Sequence, residues 1–92
     1  MILRFEWNGR KAQLNKRRHG ITFEEASTIF GDALSLTIPD PAHSIGEERF
    51  ITIGTSIKGR LIVVVHTDRY DIIRIISARK ATKNEKKQYE QK

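Results

Sequence analysis

Five arginines fall where this 92-residue chain reads as β-sheet: Arg49, Arg60, Arg69, Arg74 and Arg79. Arg49 and Arg60 each open a strand pattern, Arg69 sits at a strand connection, Arg74 lies inside the last strand pattern and Arg79 at its exit. An Arg keeps its charge at any physiological pH, and its planar fork grips a phosphate through two hydrogen bonds. Three histidines, His19, His43 and His66, accompany them. A His titrates near neutral pH and can give or take a proton. Together these residue types suit proton transfer beside an anionic group.

The same residues have plainer uses. Arginines at a sheet rim pair with acids such as Asp68, Asp71, Glu47 or Glu48, and Arg74, between Ile73 and Ile75, is the strongest candidate for a structural role. His66, near the end of an apolar run, reads as a satisfied sheet residue. His19 follows a basic segment and suits a helix C-terminus, where the dipole favours an imidazolium. Glu47 and Glu48 are candidate bases, although paired loop acids are usually solvated. The histidines are 24 and 23 residues apart, which matches no local zinc motif. With no cysteine, thiolate nucleophiles and disulfides are excluded. No metal and no cofactor are expected.

The elements that must position these groups follow from periodicity. Met1 to Trp7 alternates like a half-buried strand. Asn8 then caps a short basic helix over residues 10–18, with Ala12 and Leu14 as its only apolar side chains and Gly20 as its stop. Thr22 opens a second helix, with Glu25 as its capping-box partner and an end near Gly31-Asp32. Ala33 to Ile38 reads as a strand, Asp40 to Glu48 as a polar loop, and Arg49–Ser56, Arg60–Thr67 and Ile72–Ser77 as three hairpin-linked strands. Thr82 and Glu85 form a further capping box, opening a helix to about Gln91. Consecutive hairpins predict an α+β domain over residues 1–92, with an antiparallel sheet of about four to five strands, two helices in the N-terminal half and one at the C-terminus.

Charge narrows the partners. Seventeen Lys and Arg against eleven Asp and Glu leave a net charge of +6, which favours polyanions through counterion release. Residues 10–18 hold five basic and no acidic side chains, and residues 79–92 hold six basic and two acidic. Lys16, Arg17, Arg18, Arg60 and Lys80 are therefore candidate contacts to the backbone of a polyanion, with Tyr89 as a candidate stacking or proton-donating group. The alternatives are a solvated helix face or a surface for an acidic partner segment. Arg4 and Glu6 interrupt any apolar leader, so the start does not read as a signal peptide, and a cytoplasmic setting is expected.

Several segments taken in order resemble the BrnT family. They are Phe5-Glu6-Trp7, Arg18-His19-Gly20-Ile21-Thr22-Phe23-Glu24-Glu25-Ala26, the stretch from Asp40 to Arg49, Ile53-Gly54-Thr55-Ser56, and Arg74-Ile75-Ile76-Ser77-Ala78-Arg79-Lys80-Ala81-Thr82, followed by Glu85 and Tyr89. Each is weak alone, but their order and spacing are specific. One departure is Asn8, where family members often carry Asp. The resemblance implies a RelE-like fold, metal-independent cleavage of RNA that stops translation, and a cognate BrnA-like antitoxin whose ribbon-helix-helix part binds operator DNA. On that reading Arg49, Arg69 and Arg79 are candidate stabilisers of the transition state, and His19 and His43 candidate acid or base. A non-catalytic nucleic-acid-binding or protein-binding module is the competing reading. The C-terminal helix has Tyr89 as its only large apolar side chain, so weak docking is expected there, with the antitoxin covering the sheet face near Arg79 and displacing or pinning that helix.

Overall fold

The computed structural model describes residues 3–43 and 46–91, with His43 described by its backbone alone. The elements are β1 (Arg4–Glu6), α1 (Gly9–His19), α2 (Phe23–Ser27) running into a 3-10 turn (Thr28–Gly31), β2 (Leu36–Pro39), a 3-10 turn (Pro41–His43), β3 (Phe50–Thr55), β4 (Leu61–Arg69), β5 (Ile72–Lys80) and α3 (Lys83–Glu90). They form an α+β fold around a five-stranded sheet ordered β1-β5-β4-β3-β2. The sheet is mixed rather than wholly antiparallel. β2 to β5 pair antiparallel, but β1 runs parallel to β5, with Phe5 opposite Ile73. The chain leaves β1 through two helices and three other strands before reaching β5, so no hairpin constrains that pair.

One face of the sheet carries the main core. Ile62, Val64, Ile73, Ile75 and Ala78 pack against Ile21, Phe23, Ala26 and Ile29 from the α2 region. Gly54 permits the close approach: a Cβ there would stand 3.0 Å from Ile29 Cβ and 3.1 Å from its carbonyl oxygen. Ile53 and Val63 are also buried but outside that cluster, and strand alternation puts them on the opposite face, where α3 packs on β3.

α1 has the expected caps: Asn8 accepts from the Lys11 amide, and Gly20 ends the helix at φ 71°. Its docking differs from an apolar stripe. Leu14 is exposed, and the residue α1 buries is Asn15. β1 covers β5 only from Ile72 to Arg74, so the edge of β5 is open at Ala78. The Asn15 amide takes the place of the missing strand, donating to Ala78 O at 2.9 Å and accepting from Ala78 N at 3.0 Å. A buried backbone pair is thereby satisfied from a side chain.

At α2, Thr22 accepts from the Glu25 amide as read, but Glu25 does not reach back to complete a box. Its buried carboxylate instead accepts from Arg60 through Nε at 2.8 Å and through Nη2, and from Ser56 Oγ at 2.7 Å. These contacts hold the carboxyl below the usual carboxylate range, with Arg60 as the leading cause. At α3 the capping box between Thr82 and Glu85 forms completely. No described helix is long and apolar enough to cross a membrane.

Candidate active site

The strand ends at one edge of the sheet enclose an open cleft of about 670 Å³, lined by Glu6, Glu47, Glu48, Phe50, Thr67, Asp68, Arg69, Ile72 and Arg74. Register explains the grouping. Thr67 stands opposite Arg74 and Arg69 opposite Ile72, so the close of β4 and the start of β5 present both arginines on one face. Phe50 opens β3, and Glu6 closes β1 beside Arg74, whose Nη1 is 3.3 Å from Glu6 Oε1. Two arginines and four carboxylates thus line one open space, with Arg69 and Arg74 reaching it from one face of the sheet and Asp68 from the other.

Behind the cleft a chain of polar contacts runs through the buried His66 and Thr52. His66 Nδ1 is 2.6 Å from Asp68 Oδ1, and His66 Nε2 is 2.7 Å from Thr52 Oγ1. Thr52 Oγ1 lies 2.8 Å from Thr37 Oγ1. His66 is 1% exposed, and Phe30 meets its ring edge-on while Phe50 stacks on it. Burial pushes the imidazole below its ordinary range, against the opposing pull of Asp68. Proton positions follow from donor logic. An ionised carboxylate only accepts, so Nδ1 carries the single proton of the neutral ring. Nε2 must then accept from the Thr52 hydroxyl, whose oxygen accepts from Thr37. The result is a carboxylate, Asp68, half exposed in the cleft and fixed from behind.

The other sequence candidates lie in several places. Arg69 lines the cleft. Arg49 immediately precedes β3 between two cleft-lining residues, half-buried, and its carbonyl accepts from the Asp40 amide. Arg79 lies toward the far end of β5, opposite Val63, and spends its fork on Glu85 through bonds of 2.7 and 2.8 Å. His19 lines a separate hollow of about 200 Å³ with Lys11, Leu14, Asn15, Arg18, Ile76 and Ser77. The His43 side chain lies outside the described residues. Lys16 borders a groove beside Trp7 and Phe23, while Arg17 and Lys80 are exposed. Arg60 is held by Glu25. Tyr89 donates to Asp32 Oδ2 at 2.5 Å and lies 3.2 Å from Thr55 Oγ1, so it anchors α3. Among the described residues, no three side chains of His, Asp or Glu are grouped as a metal ion requires. Asp68, Phe50 and Glu6 were not candidates on sequence. His66 and Asp68 two residues apart on one strand face were the available signal.

Residues 7–85 match the family described as the ribonuclease toxin, BrnT, of a type II toxin–antitoxin system. The chain belongs to the BrnT family. It is therefore a ribonuclease toxin of a type II system, and such a toxin has an antitoxin as its partner. The fold of this BrnT chain is similar to the crystal structure of the Brucella abortus ribonuclease toxin BrnT, solved at 1.1 Å, with a TM-score of 0.68 and 21% identity over 88% of this chain and 99% of that one. No curated protein matches it in sequence.

The Arg79–Glu85 pair gives one pH-dependent expectation for this BrnT chain. Arg79 is the leading cause that holds the Glu85 carboxyl down at about 2, from an ordinary 4.5. A depressed carboxyl stabilises the folded form fully above its unfolded value and loses that contribution as pH falls through the folded one. α3, which buries no residue completely, should therefore come away between pH 4.5 and about 2 while the sheet persists. Nuclear magnetic resonance of the Tyr89 ring through an acid titration reads this directly. An Arg79→Ala variant with the same acid-induced release would contradict it.

Proposed function

We propose that this toxin is a metal-independent endoribonuclease and that the cleft between Arg69, Arg74 and the carboxylates is where it cuts. The observation that carries the proposal is the placing of two arginine side chains and the anchored Asp68 around one space. Asp68 takes the proton from a ribose 2′-hydroxyl, and that oxygen attacks the adjacent phosphorus. Arg69 and Arg74 stabilise the charge that develops on the phosphate oxygens. The 5′-oxygen leaves with a proton from solvent, and a 2′,3′-cyclic phosphate remains. His66 does not reach the substrate; it holds the Asp68 carboxylate in position. Glu47 and Glu48 line the same space and are the second choice as base.

Cutting RNA in this way stops translation. Neutralisation falls to a BrnA-like antitoxin with a ribbon-helix-helix part, which covers the cleft and the basic helix α3. The polar ties of α3, Arg79–Glu85 and Tyr89–Asp32, support its displacement as one route. The test is cleavage of RNA in excess chelator with analysis of the ends. Cyclic-phosphate or 3′-phosphate ends are expected. Activity lost in chelator and restored by Mg²⁺ would overturn the proposal.

A further inference from the structure

Between Arg69 and Ile72, both lining the cleft, the chain turns through two residues, Tyr70 and Asp71. Tyr70 is 99% exposed and makes no hydrogen bond or ring contact among the described residues. It is also the one described non-glycine residue with positive φ, at 58°. A two-residue hairpin with positive φ at its first central position is the place for a glycine, and a bulky side chain there is strained. The fold gains no packing from Tyr70 and accepts an unfavourable backbone to hold it. Strain of this kind, when observed, points to a role outside stability.

The turn is not loose. The Asp71 carbonyl accepts from the Arg4 amide at 2.9 Å, so β1 pins the hairpin tip to the sheet. The Asp71 carboxylate also lies 3.5 Å from Arg4 Nη2. On this pinned turn a fully exposed aromatic ring directly follows a cleft arginine. We propose that Tyr70 is a base-stacking platform: it takes the face of an unpaired RNA base next to the phosphate held by Arg69. The ring offers a π-face that any base can use, while Arg69 supplies the charge. This inference rests on the cleft being the RNA site. It adds the substrate requirement that the strand be unpaired at the cut, because a base within a duplex has both faces stacked on its neighbours.

The experiment measures binding of a fluorescent single-stranded 2′-O-methyl oligonucleotide, which cannot be cleaved, by the parent toxin and by Tyr70→Asn, Tyr70→Trp and Arg69→Ala. Asn suits the left-handed backbone, so Tyr70→Asn should melt at or above the parent temperature while binding about tenfold more weakly. Tyr70→Trp, with a larger π-face, should bind at least as tightly as the parent. The Tyr70 contribution should hold from 50 to 200 mM salt, whereas the Arg69 contribution shrinks. Parent-like binding by Tyr70→Asn alongside weak binding by Arg69→Ala overturns the platform and leaves the cleft standing. Parent-like binding by both removes the cleft as well. If Tyr70→Asn weakens only the complex with the antitoxin, the ring belongs to the protein partner and the proposal fails.

Discussion

Arg69→Ala slows RNA cleavage by about 10²-fold or more while the domain stays folded. The magnitude is that of removing a donor aimed at developing charge. Arg69 ends β4 with an exposed side chain in the cleft, so its truncation removes no core contact. Arg79→Ala provides the contrast. Its guanidinium is committed to Glu85, and its loss should loosen α3 with a smaller effect on the chemical step. Initial rates on a defined RNA, with melting curves for each variant, separate the two. A parent-like rate for Arg69→Ala, or a larger loss for Arg79→Ala at equal stability, would contradict the assignment.

The second large effect is on stability. Arg60→Ala strands the Glu25 carboxylate, which is 4% exposed and among the described residues keeps only Ser56 as a side-chain partner. Removing one member of a buried pair costs far more than removing both, because an uncompensated charge remains. A fall in melting temperature of roughly 10 °C or more is expected for a domain of this size. Arg60→Lys recovers little of it, since a single ammonium cannot reproduce the Nε and Nη2 bonds. The double change Glu25→Met with Arg60→Met should be more stable than Arg60→Ala alone. Because the carboxyl is depressed in the folded state, the contribution of its ionised form to the parent's stability is full above pH 4.5 and fades as pH falls below it, whereas the double variant has no such dependence. Thermal melts across pH test both statements. A parent-like melting temperature for Arg60→Ala would return Arg60 to the pool of RNA contacts.

The order of elements was legible because periodicity and caps announce themselves locally. Asn8, Thr22 and Thr82 cap as their neighbours suggest. What escaped were partners remote in sequence. Three residues of β1 carry no mark of a parallel neighbour. Asn15 looks like an ordinary polar helix residue until the open edge of β5 is beside it. Glu25 satisfied a local capping rule, yet Arg60, 35 positions away, took its side chain.

At the site, the concentration of strand arginines was legible, but their separation was not drawn from it. Arg69 stands opposite Ile72, and Arg79 lies seven residues further along β5, roughly 20 Å away. They cannot act on one phosphate. Asp68 was read only as a possible partner for an arginine. The role proposed for it depends on His66, a buried ring whose hydrogen bonds reach Thr52 and, through it, Thr37 from two other strands.

The most direct test of the cleft is a map of where RNA binds. An RNA analogue with 2′-deoxy sugars is titrated into ¹⁵N-labelled toxin, and amide shifts are followed. The shifts should centre on residues 67–74, with 47–50 and Glu6. Shifts confined to the hollow around His19, or to residues 79–89, would contradict the account.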